Sequence, residues 1–579
     1  MNVIPPIIKP VTRQAWATAS LLFLSLLPVL PLFAPWTFAP IASFHKEWLA
    51  VAAGLLAAVA LLPSLWRMDR LQIPKSILIP FGLIVYLALQ SKLLPHVIVQ
   101  HAQMAMVYLM WMSVLIILVS ALRETLPIER MSCWLAGGLA AAATLASTME
   151  LFNRLQGKEG WWGGVAQANN YADLLMLGGV SLLFLQNRVT SPYKSWLSLI
   201  GLLIAMGLSL TSSRSVWLYF ATLMVLSWCF QKNWLRGLLL GFVGYLSFQT
   251  VWTLDLLPQQ QSAIQRLVQE VQGAPVRWHI WRVAWDLFLQ KPLLGHGFGQ
   301  FDWAYFQAGN HIPDLATRME HAHNLIMHLL VELGVLPVLL LVIALIAWFK
   351  PLLSTKTNTP ADLRAWLLML TAVLGIHSML EYPLWYTEFL GVAALILALA
   401  DNRRWQIRLS KITTAVFGGV IAFGIGMAGV YEWQYTRMEL ALLATMANPT
   451  HQRFEHLVNV CKDIPDKAHL LFPYVPVIFS ITSEVTDGQM RRELTALTDA
   501  GYRFWPTDKL AYRQALMQAL GGNDVESRKT FKLALQAYPN GLDPFFGELM
   551  HLNLDDLKKF EPLMSTVATA AIKRAVAQH

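Results

Sequence analysis

Charged residues and cysteines are both scarce in this sequence. Asp, Glu, Lys and Arg together make up 14% of the 579 residues, whereas hydrophobic residues make up 56%. A typical soluble domain carries about 25% charged residues, so the composition favours a polytopic membrane protein over a soluble enzyme. Of the three cysteines, Cys133 and Cys229 lie in apolar runs and Cys461 lies far from both. We therefore expect neither a disulfide framework nor a zinc site.

The positive net charge has a topological explanation. A net charge of +9 in a soluble protein would suggest a nucleic-acid ligand. Here Lys and Arg stand mostly in short segments between apolar runs, where they indicate membrane topology. The 23 Trp and 27 Phe residues suit the belts that aromatic side chains form at membrane interfaces. The composition thus predicts contact with membrane lipid and no nucleic-acid partner.

Thirteen apolar runs are long enough to cross a bilayer, which takes about 20 helical residues. The first run follows Lys9 and Arg13, but it is too long for a signal-peptide core and lacks a small-residue cleavage site, so we expect a retained helix. The predicted spans are 15–35, 47–66, 74–91, 103–122, 131–151, 171–187, 195–212, 215–231, 234–253, 323–349, 363–380, 384–400 and 412–431.

Basic residues orient these spans. With a cytoplasmic N-terminus, eighteen Lys and Arg residues fall on the cytoplasmic side and five fall in the short loops opposite. Because positive charge concentrates in cytoplasmic loops, this asymmetry predicts a cytoplasmic N-terminus and an outer C-terminus. The fold class is therefore an α-helical polytopic membrane protein, with a membrane domain at 1–431, a long outer loop at 254–322 and an outer soluble helical domain at 432–579.

Polar clusters converge on the outer face of this topology. Titratable groups at a membrane boundary are costly and usually mark function. Convergence on one face predicts a site that opens to the outer leaflet. The clusters are Gln167 with Asn169 and Asn170, Arg214, Arg277 with Arg282, Glu320 to Asn324, and Glu381 with Tyr382.

The stretch MEHAHNLIMHLLVELG, residues 319–334, carries an acid and two histidines before an apolar run. Histidine accepts a proton near neutral pH, so it can act as a general base toward a hydroxyl, and Glu320 and Asn324 could orient it. A metal site is the alternative. We do not expect one, because His321 and His323 are two residues apart and would diverge on a helix, and no HExxH motif occurs. His328 is interpreted as a packing or hydrogen-bonding residue.

The outer loop contains an amphipathic helical pattern between Gln261 and Gln290, interrupted near Gly273–Pro275. Trp and Arg alternate at four-residue spacing, which suits a helix at the membrane interface. Arg277 could be an interfacial anchor with a snorkelling side chain, but the order of motifs described below favours a functional role for it. Arg282 and Arg214 could be interfacial anchors, but arginine is also the preferred ligand of phosphate, so a pyrophosphate site is the alternative. The glycines of GHGFG at 295–299 lack the setting of a phosphate loop and predict a tight turn.

A family resemblance follows from the order of these motifs. WGGVAQANNYA, SSRS, RWHIW with PLLGHGFGQF, HAHNLIMHLLVELG and EYPLWYTEFLGVAALIL together resemble bacterial protein O-oligosaccharyltransferases, the PglL- and PilO-like group of the O-antigen ligase superfamily. The motifs lie within about residues 150–400. Where the family often has His after the Gln-x-Asn unit, this chain has Asn170 and Tyr171.

The resemblance implies an activity and a location. Such enzymes lie in the bacterial inner membrane, face the periplasm, and transfer oligosaccharide from undecaprenyl pyrophosphate to a Ser or Thr hydroxyl of a pilin-like or other periplasmic protein. They use no metal or cofactor. The resemblance gives His323 the essential histidine role, Arg214 and Arg277 a pyrophosphate role, and Gln167 and Tyr382 a role in the protein-glycosylating branch. Substrate contacts by Glu320, His321, Asn324 and Arg282 complete the predicted site.

Three alternatives remain for the function, and two for the C-terminal domain. An O-antigen ligase would transfer glycan to the lipid A core, an O-antigen polymerase would extend it, and a transporter would move lipid-linked sugars. In the C-terminal domain, two amphipathic helices around 521–523 resemble a tetratricopeptide hairpin. That domain could bind the acceptor protein or could support the outer loop.

Overall fold

Helices make up most of the described part of the chain, as its long runs of Leu and Ala favour. The computed structural model describes residues 12–34, 40–95, 97–158, 160–165, 167–211, 213–252, 276–309, 318–354, 359–483, 489–550, 552–553 and 555–556. The predicted helical segment at 261–275 therefore lies outside the described residues.

The helices up to residue 252 are α1 (Arg13–Leu26), α2 (Phe44–Leu65), α3 (Leu78–Leu93), α4 (Val99–Arg123), α5 (Ile128–Leu155), α6 (Ala168–Gln186), α7 (Ser191–Leu210), α8 (Ser215–Phe230) and α9 (Leu235–Trp252). The next group comprises α10 (Val276–Gln290), α11 (Phe301–Ala308), α12 (Leu325–Leu333), α13 (Val335–Leu353), α14 (Ala361–Leu380), α15 (Thr387–Ala400) and α16 (Lys411–Ala447).

The C-terminal helices are α17 (His451–Cys461), α18 (Ile464–Lys467), α19 (Tyr474–Thr482), α20 (Gln489–Phe504), α21 (Asp508–Leu520), α22 (Asp524–Ala537) and α23 (Leu542–Leu549). Short 3-10 turns lie at Leu30–Phe33, Lys75–Ile77, Trp162–Gly164, Lys232–Trp234, Pro383–Trp385, His469–Leu471 and Pro539–Gly541. Strands β1 (Arg70–Pro74) and β2 (Arg404–Arg408) pair antiparallel, with Arg70 opposite Arg408.

Within the described ranges, nine helices are long and apolar enough to cross a membrane, and α8 and α15 are shorter apolar helices. They coincide with predicted spans, so a multi-pass helical membrane protein is confirmed. The count of thirteen and the orientation stay predictions. The predicted span 412–431 corresponds to α16, which continues to Ala447 through the predicted domain boundary at 431.

The predicted continuous span at 323–349 is wrong. Helix α12 ends at Leu333, Gly334 adopts φ 82° and ψ 178°, and α13 begins at Val335. The break has a tertiary cause, because a Cβ atom on Gly334 would stand 2.3 Å from the carbonyl oxygen of Leu293. The N–H of Val335 donates to the carbonyl of Pro292 at 2.8 Å. The candidate span is therefore α13 alone, and the histidine stretch precedes a separate short helix.

The chain divides into two units. The first comprises Met1–Val85, Met106–Ala274 and Leu339–Gly429, and the second comprises Tyr86–Ala105, Pro275–Val338 and Val430–His579. In the first unit α5 packs closely on α6, where a Cβ atom on Gly178 would lie 2.2 Å from the Cβ of Ala143. Small residues at such interfaces let helix backbones approach closely. Its core includes Phe184 stacked on Trp366 at 4.7 Å.

The second unit contains two apolar clusters joined by α11. Phe301, Ala304 and Tyr305 of α11 pack with the buried face of α10. Phe306 of the same helix lies in the core formed by α20 to α23, where it stacks on Tyr538. Helix α11 therefore links the C-terminal helices to the segment that carries the histidines.

The predicted helix pair around 521–523 is confirmed as α21 and α22. Gly522 adopts φ 79° in the turn, and the Asn523 side chain caps α22 by accepting from the N–H of Glu526. The Ser527 hydroxyl donates to the carbonyl of Ala515 at 2.6 Å, which ties the two helices together. A tetratricopeptide identity stays a prediction.

Candidate functional site

The histidine turn, residues 319–324, lies directly before α12. The side chain of Asn324 caps this helix, and its Oδ1 accepts from the N–H of Met327 at 3.1 Å. His323 adopts φ 49°, in the left-handed region that residues with a Cβ rarely occupy. Of the other non-glycine residues that the structure describes, only Trp162 has a positive φ. Such strain costs about 1–3 kcal/mol and persists where surrounding contacts over-determine the backbone, often at functional sites.

Helix α10 holds the histidine turn through Trp281. The indole N–H of Trp281 donates to the carbonyl of Ala322 at 3.0 Å. Arg277 precedes Trp281 by one helical turn, so both lie on the same side of α10. Arg277 is half-buried, whereas Arg282 is exposed. The predicted residues Arg277 and His323 thus belong to two segments that one hydrogen bond connects.

His321 is half-buried in this turn, and its Nδ1 is buried. Its ring centroid lies 5.1 Å from that of His328. Burial lowers the pKa of His321 well below its usual value, and nearby His328, His323 and Arg318 lower it further. Because a depressed pKa makes a weak base, His321 is neutral near pH 7 and is a poor proton acceptor.

Glu320 pairs with Arg318, an arginine that belongs to none of the sequence motifs. Arg318 Nη1 lies 2.8 Å from Glu320 Oε1, and its Nε binds Asp302 on α11. The guanidinium of Arg318 also stands 4.8 Å from the ring centroid of Trp505, which lies between α20 and α21. Burial raises the pKa of Asp302 to about 7 although Arg318 opposes the shift. Arg318 thereby ties the acidic end of the histidine turn to the C-terminal helices.

The glycines of the GHGFG stretch form the predicted tight turn. Gly295, Gly297 and Gly299 all have positive φ. The N–H groups of His296 and Gly297 donate to the carbonyls of Val331 and Glu332, at 2.8 and 3.0 Å. This turn therefore clamps the C-terminal end of α12.

Gln90 on α3 reinforces the clamp. Its Nε2 donates to the carbonyls of Leu294 and Glu332 at 2.7 and 2.8 Å, and its Oε1 accepts from the N–H of Phe298. Gln90 is buried. The sequence offered no signal for this role, because Gln90 stands in an ordinary apolar run.

A second group of predicted residues lies in the first unit, at the ends of α6, α8 and α14. We refer to it as the helix-end cluster, defined by Gln167, Asn169, Asn170, Arg214, Tyr219, His377, Glu381 and Tyr382. Asn169 Nδ2 donates to Glu381 Oε1 at 2.7 Å. His377 is hydrogen-bonded through Nε2 to Asn170 Oδ1 at 2.9 Å and through Nδ1 to the Tyr219 hydroxyl at 3.0 Å. Two predicted polar clusters, that of Asn169 and Asn170 and that of Glu381, are thus brought together, and His377 connects Asn170 to Tyr219 of α8.

Gln167, Arg214 and Tyr382 flank these hydrogen bonds in the chain. Gln167 directly precedes α6, and its buried Oε1 has no hydrogen-bond partner among the described residues. Arg214 directly precedes α8 and is half-buried. Tyr382 follows Glu381 and stacks on Tyr386 at 6.0 Å. A buried polar atom without a protein partner is rare and marks a place for a ligand group or water.

The predicted site residues therefore divide between the two units. Arg277, Arg282, Glu320, His321, His323 and Asn324 lie in the second unit, and Gln167, Arg214 and Tyr382 lie in the first. In the described part of the chain, His, Cys, Asp and Glu side chains form no group of three that could hold a metal ion.

Comparisons with known proteins bear on both units. The O-antigen ligase family profile matches residues 199–343, which contain Arg214, Arg277 and His323. The profile described as the C-terminal part of a virulence factor membrane-bound polymerase matches residues 365–543, which contain Tyr382 and most of the C-terminal helices. Gln167 lies outside both matched regions.

Two relatives from Acinetobacter baylyi are similar to this chain. A general O-oligosaccharyltransferase is 25% identical over 307 residues, which cover 49% of this chain and 51% of the relative. A ComP-specific O-oligosaccharyltransferase is 23% identical over 234 residues, which cover 39% and 41%. The chain thus spans about half or less of the length of these relatives. With the family profile and these relatives in agreement, the resemblance drawn from the motifs is confirmed: the chain is similar to O-antigen ligases and to O-oligosaccharyltransferases.

Proposed function

We propose that this protein is an O-linked oligosaccharyltransferase. It moves a glycan en bloc from undecaprenyl pyrophosphate to a Ser or Thr hydroxyl of a periplasmic or pilin-like protein, without a metal or cofactor. The hydrogen bond from Trp281 to Ala322 carries this proposal, because it fixes a histidine turn against a helix that bears two arginines. A base beside phosphate-binding cations is what glycosyl transfer from a lipid pyrophosphate requires.

His323 is the general base of the proposed reaction. It accepts the proton of the attacking hydroxyl while the oxygen forms a bond to the anomeric carbon of the first sugar. The bond from that carbon to the pyrophosphate oxygen breaks in the same step, so undecaprenyl pyrophosphate leaves with its electron pair and the anomeric configuration inverts. The strained backbone of His323 and the depressed pKa of His321 favour His323 for this role.

Arg277 and Arg214 stabilise the charge that develops on the leaving pyrophosphate. Preorganised cations aimed at developing charge are commonly the largest contribution to such catalysis. Arg277 is supported by its position one turn from Trp281 on α10. Arg214 keeps the phosphate role that the family resemblance implies, at the start of α8. Arg282 is exposed and is proposed to contact lipid headgroups or donor phosphate.

The remaining predicted residues bind substrate. Gln167 presents a buried carbonyl oxygen that no described residue satisfies, so it is proposed to accept a hydrogen bond from a substrate hydroxyl or amide. Tyr382 is proposed to contact the acceptor, as the resemblance implies. Asn324 caps α12, whereas Glu320 and His321 shape the turn that holds His323.

The C-terminal helices are proposed to support the histidine turn. Phe306 of α11 lies in their core, and Arg318 stands over Trp505 while it binds Asp302 and Glu320. These contacts favour the supporting role over acceptor binding alone.

Deletion of residues 440–579 tests this role. If these residues support the histidine turn, the deletion should abolish even the slow hydrolysis of the lipid-linked glycan by water. If they only bind the acceptor, that hydrolysis should remain.

An O-antigen ligase that glycosylates the lipid A core is the second candidate, because the O-antigen ligase profile covers the arginine and histidine segments. Co-expression of the full chain with a glycan locus and a pilin-like acceptor separates the two. Protein transfer predicts that the intact mass of the acceptor rises by the glycan mass. An unmodified acceptor together with glycan-extended lipid A core would contradict the proposal.

A further inference from the structure

Helix α12 buries an imidazole and a carboxylate beneath the histidine turn. His328 and Glu332 lie one turn apart, and their side chains are 4% and 2% exposed. Nε2 of His328 lies 3.4 Å from Oε2 of Glu332. Burial of two titratable groups costs free energy unless each finds partners. An apolar helix of nine residues needs neither group for its packing, so both require another explanation.

Glu332 is fixed from three directions. Its second carboxylate oxygen accepts from the N–H of Phe301 at 3.1 Å. Its backbone carbonyl accepts from Gly297 and from the Gln90 amide at 3.0 and 2.8 Å. Burial raises the pKa of Glu332, but His328 and the N–H donors of Gly299 and Phe301 outweigh it and leave the pKa below its ordinary value. An ionised, immobile carboxylate is therefore available to orient His328.

The other nitrogen of His328 faces the turn. The N–H of Ala322 donates to His328 Nδ1 at 3.4 Å. If Nε2 carries the proton and so faces the Glu332 carboxylate with a positive partial charge, Nδ1 is left as the acceptor that this contact requires. Ala322 stands between His321 and His323, and its carbonyl accepts from Trp281. The peptide groups on both sides of Ala322 are thus held, one by α10 and one by α12.

From this arrangement we infer that His328 and Glu332 are positioning residues, which set the backbone at Ala322 and so hold His323 in its left-handed conformation. The inference rests on the proposed function, since His323 is the base that is positioned. A strained conformation persists only where its surroundings fix it. The chain Glu332–His328–Ala322 supplies that constraint without any contact to substrate.

Two substitutions of His328 separate positioning from packing. The Asn side chain places an oxygen where Nδ1 stands, so H328N keeps an acceptor for the Ala322 N–H. The Gln side chain reaches the place of Nε2 instead, so H328Q fills more of the volume but loses that acceptor. E332Q is a third probe. A Gln amide at position 332 that donates to Nε2 of His328 would place the imidazole proton on Nδ1. Nδ1 could then no longer accept a hydrogen bond from the Ala322 N–H.

The test uses the full-length protein in proteoliposomes, with undecaprenyl-pyrophosphate-linked oligosaccharide and a pilin-like acceptor as probes. We expect kcat to fall about 100-fold in H328Q and E332Q, as for a small misplacement of a reacting group, while KM for the donor stays unchanged. H328N should keep kcat within about 5-fold of wild type. The apparent melting temperature of each variant shows whether the fold is retained.

Equal kcat values for H328N and H328Q, or a change confined to donor KM, would overturn the positioning role. So would an H328Q variant that keeps wild-type kcat. H323A is measured beside them. An active H323A contradicts the proposed base, whereas an inactive H323A with equal H328N and H328Q rates contradicts positioning alone.

Discussion

The indole N–H of Trp281 donates to the carbonyl of Ala322 at 3.0 Å, and this bond joins the arginine-bearing helix to the turn that contains His323. Neither residue carries reactive chemistry. Their contact nevertheless decides how the predicted base and the predicted phosphate ligand are held, because Arg277 precedes Trp281 by one turn and His323 follows Ala322 directly.

The first prediction concerns this hydrogen bond. Trp281→Phe keeps an aromatic ring but removes the donor, which leaves a buried carbonyl unpaired at a cost of about 1–3 kcal/mol. We expect kcat for glycan transfer to fall about 10-fold, which corresponds to about 1.4 kcal/mol. Trp285→Phe, at a more exposed position one turn further along the same helix, is the control and should leave kcat unchanged. Equal effects of the two substitutions would argue against a specific role for the bond.

The second prediction concerns Arg277. Arg277→Ala removes a phosphate ligand and should lower kcat about 100-fold at saturating donor, as does the loss of one transition-state donor in other enzymes. Arg277→Lys restores a point charge without the planar fork, so it should recover part of the rate. Arg503→Ala, at an exposed position of α20, is the matched control. Wild-type kcat in Arg277→Ala would exclude the leaving-group role.

The third prediction uses the buried carboxyl of Asp302. Burial raises its pKa to about 7, above the ordinary value near 4. The folded state therefore holds a proton that the unfolded chain releases, and the associated stability is lost as pH rises from about 4 to about 7. The difference in apparent melting temperature, wild type minus Asp302→Asn, should therefore decrease as pH rises from about 4 to about 7. A difference that is constant with pH, or that rises, would contradict the shift.

The fourth prediction distinguishes the two histidines of the turn. Because burial depresses the pKa of His321, its ring stays neutral between pH 6 and 8. His321→Asn should therefore leave the shape of the pH–rate profile in this range unaltered, even if the absolute rate changes. Initial rates of transfer across the range provide the measurement. Loss of the profile's acidic limb in this variant would assign the base to His321 instead of His323.

The fifth prediction tests the helix-end cluster. Asn169 and Glu381 share a hydrogen bond of 2.7 Å, and Glu381 is buried. Replacing each with Leu, singly and together, should give non-additive losses of stability, with a coupling of about 0.5–1.5 kcal/mol for one intramolecular hydrogen bond. Unfolding of the purified variants in detergent measures the coupling. Additive losses would show that the two side chains do not stabilise one another.

The sequence predicted features that depend on local composition. Apolar runs identified α6 and α14, and the paired amphipathic segments identified α21 and α22, because length and periodicity report burial directly. The motif order also indicated the similarity to O-oligosaccharyltransferases that the comparisons confirm. By contrast, the predicted span at 323–349 failed at Gly334, where the break is imposed by backbone groups of Pro292 and Leu293. A contact between segments that are distant in the chain produces no periodic pattern in the sequence.

The same reason explains the site residues that were missed. Arg318 binds Asp302 and stands over Trp505, which lies in a different part of the sequence. His377 meets Asn170 across 207 positions. His328 was interpreted as a packing residue, and its contact with the Ala322 N–H gives it a definite partner. Each residue has an ordinary local setting, so only the tertiary structure reveals its role.

The central claim is transfer of a glycan to protein with His323 as the base, and reconstitution tests it most directly. The purified full-length chain is combined in proteoliposomes with undecaprenyl-pyrophosphate-linked oligosaccharide and a pilin-like acceptor, and the intact mass of the acceptor is followed over time. The account predicts a mass gain of one glycan for wild type and for His451→Ala, an exposed control, and none for His323→Ala. A glycosylated acceptor at wild-type rate with His323→Ala would contradict it.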